Sequence, residues 1–459
     1  MLPQTLDDLV NGVVEQSDPY GALALHPYVD DKIRVKLEQQ MFASRRLKYV
    51  FASAHYTPGS VLDRLSVDDD KQLRIRILKH PNTGSETLAG IFSGKCTARM
   101  RILIAGHANT PGKILEQINW RESDSLRKAL CGNANTPLNV IREILDICTV
   151  TEKKMIAGNP NLDKELLQML WNTGDAYVKA EVASHGAFPE ELVDRAVASD
   201  EVIVRQKLAE NPALSTKVLY RLLLDKSPKV RAAVVRNQEI SVEQEHRLSD
   251  DPSDYVRRHE ARREGLAREV INKLAEDRDA WVRRWTAGNP TTPEDILQKL
   301  VEDENLYVRR SVSRNKSCPV YLLKILARDP SPWVKAGVAL RDDLPAELLL
   351  QLSEEEDIDI QSAIGRNPNT PVHILKRLAL SDNKDIRRSV ILNTGVTVEV
   401  LNLLVEDPYP LNRIILASRQ CCDRRIRWQL ANDPDQEVRF SAVRALAMQM
   451  VNQTNLECR

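Results

Sequence analysis

Hydrophobic residues recur along this chain at an interval of 26 residues. A valine followed by a basic residue marks the interval, and a second apolar residue stands four positions later, as in Val204 and Leu208. The marker occurs at Val178-Lys179, Val204-Arg205, Val230-Arg231, Val256-Arg257, Val282-Arg283, Val308-Arg309 and Val334-Lys335, and related pairs continue the phase in both directions. A spacing of four places both apolar residues on one face of a helix. The pattern predicts one amphipathic helix in every unit.

Polar markers divide each unit into two helical segments. In the unit that begins at Val282, Asn289 is followed by Pro293, by the apolar pair Ile296-Leu297 and by Asp303. We interpret the aspartate, which is followed by proline at 251, 329, 407 and 433, as an N-cap before a proline at the first helical position. Asparagine would end the first helix because it tolerates a left-handed backbone. Thr-Pro pairs would cap the second helix.

About sixteen such units fill the chain, which predicts an all-α solenoid of helix-turn-helix repeats. We expect an N-terminal cap over residues 1–19, one elongated solenoid over residues 20–440, and a C-terminal helix and tail over residues 441–459. Terminal caps are expected because an end repeat has a neighbour on one side only.

The repeats resemble the leucine-rich variant repeats of bacterial proteins. The segments VRQKLAENPAL at 204–214 and VRRWTAGNPTTPEDIL at 282–297 carry the resemblance, which covers roughly residues 20–440. The unit is also similar to HEAT-type repeats, which share an aspartate five residues before Val-Arg. The resemblance implies a right-handed superhelix. The unit is longer than the usual variant repeat, which favours two true helices, and no cysteine precedes Cys96, so an iron–sulfur centre found in one member is not expected here.

Composition and the distribution of charged and apolar residues argue against several classes of function. Lys plus Arg equals Asp plus Glu at 65 each, so net charge indicates neither a nucleic acid nor a membrane as partner. No apolar run has the length of a membrane span, and Asp7, Asp8, Glu15 and Asp18 argue against a signal peptide. Seven irregularly spaced cysteines indicate free thiols in a reducing cytoplasm.

The residues that usually carry chemistry have structural explanations. His26, His80, His107 and His185 occupy the asparagine position of the repeat, and the other histidines show no ligand spacing. Cys131 and Cys318 stand at small packing positions, and we interpret the adjacent Cys421-Cys422 as incidental. No nucleotide-binding, zinc-protease or esterase motif occurs. We therefore expect no enzyme activity, no cofactor, no metal and no small-molecule substrate.

Two recurrent sets of side chains favour packing over ligand binding. The basic residue after each valine is expected to link neighbouring repeats through the aspartates by charged hydrogen bonds, as the family resemblance implies, rather than to bind phosphates. An aromatic residue before the valine lies at the edge of the buried face, where packing is favoured over a base-stacking platform. This aromatic column comprises Tyr177, Tyr255, Trp281, Tyr307 and Trp333.

Two basic columns are candidate binding surfaces. The first lies on the second helix, faces solvent and has no recurrent acidic partner in the pattern; it comprises Arg195, Arg221, Arg247, Lys273 and Lys299. The second lies on the first helix and comprises Arg258, Arg284, Arg310 and Arg388. A solvated surface is an equally good explanation of the first column. We predict a non-enzymatic cytoplasmic scaffold that binds a protein partner along the solenoid. The alternative is a HEAT-like nucleic-acid binder that uses the basic columns and responds strongly to salt.

Overall fold

The protein is an all-α solenoid. The computed structural model describes residues 45–53, 57–237, 240–439, 441, 442, 445 and 446, and none of these residues belongs to a β-strand. They form two compact units, one ending at residue 237 and one beginning at residue 240, and each is a solenoid in itself. The predicted cap at 1–19 lies outside the described residues, and so does most of the predicted C-terminal helix and tail at 441–459, of which the structure describes residues 441, 442, 445 and 446.

The first unit alternates first and second helices of the predicted repeat. Its helices are α1 Arg45–Phe51, α2 Gly59–Ser66, α3 Lys71–Ile77, α4 Ser85–Ser93, α5 Ala98–Gly106, α6 Gly112–Leu115, α7 Asp124–Cys131, α8 Leu138–Leu145, α9 Val150–Ala157, α10 Lys164–Thr173, α11 Ala176–Ala183, α12 Val193–Val197, α13 Val202–Ala209, α14 Thr216–Leu223 and α15 Pro228–Val234. Short 3₁₀ turns at Trp120–Glu122 and Glu190–Leu192 precede α7 and α12. Odd-numbered helices contain the position of the valine marker, which other residues occupy in some repeats, such as Met100 in α5 and Glu152 in α9.

The second unit continues the alternation. Its helices are α16 Val242–Ser249, α17 Asp254–Glu260, α18 Arg268–Ala275, α19 Ala280–Gly288, α20 Glu294–Leu300, α21 Leu306–Arg314, α22 Val320–Leu326, α23 Pro332–Ala339, α24 Ala346–Ser353, α25 Ile358–Arg366, α26 Val372–Ala379, α27 Lys384–Leu392, α28 Val398–Asn402, α29 Pro410–Ser418 and α30 Arg424–Leu430. Within each unit most first helices pack on the first helix of the next repeat, and several second helices contact the second helix of the next repeat.

The predicted apolar positions form the core. Val282 of α19 and Leu297 of α20 are fully buried, and so are Val308 and Val312 on successive turns of α21. Each such side chain contributes about 1.5–3 kcal/mol when it leaves water. The two-helix repeat and its phase are therefore confirmed.

The capping predictions need correction. The aspartates at 251, 329 and 407 do not cap the first helices, which start after Ser253, Ser331 and Tyr409. The side chain of Asp329, for example, accepts a hydrogen bond from the backbone N–H of Ser331 at 2.8 Å and so closes the turn before the helix. Similarly, Pro293 is the N-cap residue of α20 rather than its first residue, and Thr292 donates to the carbonyl of Thr286 at 2.6 Å.

The repeated asparagine also has a different function from the one predicted. Asn315 ends α21 with φ −71° and ψ 124°, an extended conformation, and no described residue other than glycine has a positive φ. Its side-chain amide donates to the carbonyls of Ala287 and Asn289 in the preceding repeat, at 2.8 and 2.9 Å. Its Oδ1 accepts from the N–H of Ser317. The asparagine satisfies backbone groups across the repeat boundary, where water has no access.

The predicted link between the basic residue and the aspartate is confirmed. Arg257 donates from Nε and Nη2 to the two carboxylate oxygens of Asp277, at 2.5 and 2.9 Å, and from Nη1 to the carbonyl of Asp251 at 2.8 Å. The same bidentate contact, spanning 20 residues, joins Arg205 to Asp225, Arg283 to Asp303, Arg309 to Asp329, Arg387 to Asp407 and Arg413 to Asp433. We call this set the Arg–Asp ladder. It is a structural device, because its guanidinium groups are fully engaged inside the protein.

Candidate functional site

The first predicted column is exposed on the second helices, but it does have acidic partners. Lys299 forms an ion pair with Glu276 at 3.1 Å, and Lys273 forms one with Asp250. The remaining contacts of this kind join Arg221 to Asp194 and Arg195 to the amide oxygen of Asn172. The expectation that the column has no recurrent acidic partner is therefore wrong for Lys273 and Lys299. An ion pair between two exposed side chains contributes little, about 0–1 kcal/mol.

The partners were recognisable in the sequence. Asp250 and Glu276 each stand immediately before a ladder aspartate, 23 residues ahead of the lysine that they contact. The same spacing relates Glu354 to Arg377. The position is not acidic in every repeat, since Ala198 and Leu224 occupy it elsewhere. The ion pairs can therefore be recognised in the sequence only when the acidic position after one second helix is compared with the basic position of the next second helix.

The second predicted column and the aromatic column form one surface. They were considered separately in the sequence, but Arg310 of α21 lies over the ring of Trp333 in the next repeat, 5.0 Å from its centroid. Arg284 lies over Trp281 and Trp285, at 4.6 and 5.3 Å. We call this surface of the second unit the Arg–aromatic face and define it by Trp281, Trp285, Tyr307, Trp333, Arg262, Arg284 and Arg310.

The aromatic side chains of this face are packed on each other and still open to solvent. The rings of Trp281 and Tyr307 are nearly parallel with centroids 6.1 Å apart, and Trp333 meets Tyr307 edge-on at 6.3 Å. Their exposed fractions are 44%, 40% and 45% for Trp281, Tyr307 and Trp333. The predicted packing of the aromatic column between repeats is therefore confirmed for these three rings, which are also exposed to solvent. Exposed aromatic clusters of this kind are typical of binding surfaces.

Two arginines of the Arg–aromatic face have no acidic partner among the described residues. Among the described residues, no carboxylate lies within ion-pair distance of Arg284 or Arg310, and the buried Nε of Arg310 has no hydrogen-bond acceptor. Arg258 differs, because it pairs with both Asp254 and Asp279 and lowers the pKa of the Asp279 carboxyl below its usual value. Arg388 differs as well, because it pairs with Asp385 and donates from Nε to the amide oxygen of Asn412. The second predicted column therefore contains two arginines that pair with carboxylates, Arg258 and Arg388, and two that do not, Arg284 and Arg310.

A cavity of about 390 Å³ opens at the end of the Arg–aromatic face. Beyond Trp333 the aromatic position is taken by Asp359, and the arginine position by the small residues Ala336 and Ser362, so side-chain volume is missing there. Arg310 and Trp333 form one wall of this cavity, and Arg388 forms the other. The cavity is within the range of volumes that seat a small group or a side chain of a partner.

A buried acidic cluster in the second unit was missed by the sequence analysis. Glu260 is completely buried, and neither of its carboxylate oxygens has a hydrogen-bond partner among the described residues. Burial raises its pKa to about 8, against the opposing effect of Arg263, whose guanidinium lies 3.8 Å away and also binds Glu245 at 2.9 Å. The signal was present, because valine, leucine or threonine occupies the position of Glu260 in neighbouring repeats, as at Leu208.

The described residues hold no group of three potential metal ligands. His107 and His185 each bond to a backbone carbonyl of the preceding repeat, at 2.9 and 3.0 Å, so they replace the repeated asparagine in function. Cys131 and Cys148 approach each other to 3.8 Å between sulfur atoms, a contact that the sequence analysis did not anticipate.

No family model matches the sequence, and no curated protein aligns with it. A solved structure, UNC-45 from Drosophila melanogaster, aligns over 98% of this chain and 75% of its own length, with 13% identity and a TM-score of 0.22. That similarity is too weak to carry an argument about partners.

The packing of the two-helix repeats defines the class of the molecule: it is a helical repeat protein. Among the described helices, none combines the length and the apolar character needed to cross a bilayer.

Proposed function

We propose that this protein is a non-enzymatic scaffold that binds a protein partner through the Arg–aromatic face of its second unit. The observation that supports this is the continuous run of Trp281, Tyr307 and Trp333, each at least two-fifths exposed, alongside arginines that are not paired within the protein. Tryptophan, tyrosine and arginine are the residues that contribute most to protein interfaces. A solenoid surface presents them at regular intervals to an extended partner.

The first predicted column, Arg195 to Lys299, remains a second candidate for the binding surface. Its charges are exposed, but several are neutralised by Asp194, Asp250 and Glu276. A ligand would have to displace these carboxylates, so the Arg–aromatic face is the stronger candidate.

The finer classification is also a proposal. The repeated asparagine, proline and aspartate markers support membership of the leucine-rich variant repeat family, and hence a bacterial origin. The six cysteines of the described residues are all free thiols, which supports a reducing, cytoplasmic location.

A paired capture experiment tests the binding function. Tagged wild-type protein, the double variant W281A/W333A and the control Y321A would be incubated with extract of the native cell, with and without nuclease. Tyr321 is 43% exposed on α22, a second helix, so Y321A removes a comparable aromatic side chain from another surface. We expect a protein that is retained by wild type and Y321A and is lost from W281A/W333A. Equal retention by all three proteins would refute the assignment of this face.

A further inference from the structure

The Arg–aromatic face carries an excess of positive charge. Five arginines lie on or directly after α17, α19 and α21, namely Arg258, Arg262, Arg284, Arg310 and Arg314, and two carboxylates accompany them, Asp254 of α17 and Asp279 at the N-cap of α19, which also pairs with Arg258. Asp254 is already paired with Arg258. The protein as a whole is neutral, so this local excess is a property of the face and favours an acidic ligand.

The geometry of the arginines favours carboxylates over bases. Arg284 covers the rings of Trp281 and Trp285, while Trp281 also packs against Tyr307. Ring faces that are covered in this way cannot receive a nucleic-acid base, which needs a free aromatic face. A guanidinium held flat on a ring keeps its N–H edge outward, and that edge can donate two parallel hydrogen bonds to a carboxylate.

The repeat fixes the spacing of the carboxylates that would fit. Arg284 and Arg310 stand 26 residues apart on neighbouring first helices, whose axes are about 8–10 Å apart in helix packing. An extended polypeptide in the polyproline II conformation advances about 3.1 Å per residue and returns its side chains to the same face at every third residue. Acidic side chains three residues apart therefore meet successive arginines.

We propose that the Arg–aromatic face binds an extended acidic segment of a partner protein, with carboxylates at every third residue on Arg284 and Arg310. A side chain of the same segment enters the cavity between Trp333 and Arg388, where Ala336 and Ser362 leave room for it. This proposal rests on the proposed function, since it specifies the partner of the same face.

The test uses a fluorescein-labelled peptide of repeated Glu-Ala-Pro triplets and measures its anisotropy with the full chain. Peptides with Gln or Lys in place of Glu, a peptide of the same composition with clustered glutamates, a thymidine oligonucleotide and inorganic polyphosphate serve as alternative probes. We expect the triplet peptide to bind tightest. The clustered peptide should bind more weakly, because its carboxylates reach a single arginine.

Variants locate the binding site. R284Q and R310Q should each weaken binding of the triplet peptide about tenfold, the effect of losing one charge-assisted hydrogen-bonded pair. R284K/R310K keeps both positive charges but cannot form the bidentate contact. Its affinity for the triplet peptide should therefore lie between that of wild type and those of the glutamine variants. K316Q/K324Q removes two exposed charges that belong to neither basic column and is the matched control, which should bind as wild type does. Circular dichroism melting confirms that each variant folds.

Each outcome decides the proposal. Equal binding of the Glu and Gln peptides would refute the acidic specificity, and the capture experiment would still test the face itself. Tighter binding of the oligonucleotide or of polyphosphate than of the triplet peptide would show that the face binds a polyanion and not an acidic protein segment. Absence of peptide binding, with capture still dependent on Trp281 and Trp333, would show that the face binds a protein of another chemistry.

Discussion

Arg283 and Asp303 are joined by two parallel hydrogen bonds across a repeat boundary, from Nε at 2.6 Å and from Nη2 at 3.0 Å. The same arginine donates from Nη1 to the carbonyl of Asp277, at 2.8 Å, so it fastens the turn before its own helix as well. Both side chains are almost completely buried, with 11% and 6% exposure. The contact therefore belongs to the framework of the solenoid.

R283Q should destabilise the protein by about 3 kcal/mol, because it leaves the Asp303 carboxylate buried without its charged partner. R283K should lose part of this amount, since lysine cannot form the bidentate contact. Urea denaturation measures both values. The matched control is K299Q, which removes an exposed cation. Equal stability of R283Q and K299Q would contradict the structural function of the ladder.

N315A should destabilise the chain by about 2 kcal/mol, because two buried carbonyls of the preceding repeat lose their donor. N315H should recover part of the loss, since His107 and His185 make the corresponding contact with one ring nitrogen. Thermal melting of the three proteins gives the comparison. A melting temperature for N315A equal to that of wild type would mean that the contact across the boundary contributes nothing.

Glu260 should make stability fall as pH rises. Its pKa is about 8 in the folded protein and near 4.5 when unfolded, so the native state alone holds the proton between these values. In that interval the unfolding free energy decreases by about 1.4 kcal/mol for each pH unit. E260Q cannot ionise and should therefore be more stable than wild type at pH 8, with a smaller advantage at pH 5. Denaturation curves across this range, with E276Q as an exposed control, measure the difference; parallel curves for E260Q and wild type would contradict the burial of an ionisable group.

The combined variant R221E/K273E/K299E should retain nearly the stability of wild type. The three pairs involved are exposed, and such pairs contribute about 0–1 kcal/mol each. If the first column is the binding surface after all, the same variant will fail to retain the captured protein. Calorimetry and the capture experiment together separate loss of folding from loss of binding.

Oxidised glutathione should convert Cys131 and Cys148 to a disulfide, with glutathione taking up the two electrons and two protons of the thiols. The sulfur atoms are 3.8 Å apart and need to approach to about 2 Å. Non-reducing peptide mapping identifies the bond, and C148S provides the control. Recovery of both residues as separate glutathione adducts would show that the helices hold the sulfurs apart.

Much of the fold could be predicted because a 26-residue period repeats the same physical information many times. The buried stripe through Val308 and Val312 and the Arg–Asp ladder both follow from offsets within that period. The capping details could not be predicted in this way. Asn315 was assigned a local backbone conformation, whereas its side chain acts on a repeat that lies 26 to 28 residues earlier.

The candidate site was predicted only in parts. Arg310 and Trp333 each belong to a column of the sequence pattern, but their contact joins two different columns in successive repeats. A search within one column does not reveal such a contact. The cavity beside Trp333 was also inaccessible to sequence reasoning, because it arises where the pattern lapses to Ala336 and Ser362.

The constant span of the Arg–Asp ladder limits how the length of this chain can change. Every rung joins residues 20 positions apart, and the asparagine contacts span 26 and 28 positions. Removing one whole unit of 26 residues brings the next arginine to the same place opposite an equivalent aspartate. A deletion of another length leaves a buried arginine and a buried aspartate facing apolar neighbours. The gene can therefore lengthen or shorten by whole repeats, because the polar contacts between repeats fix the length of the unit that can be added or removed.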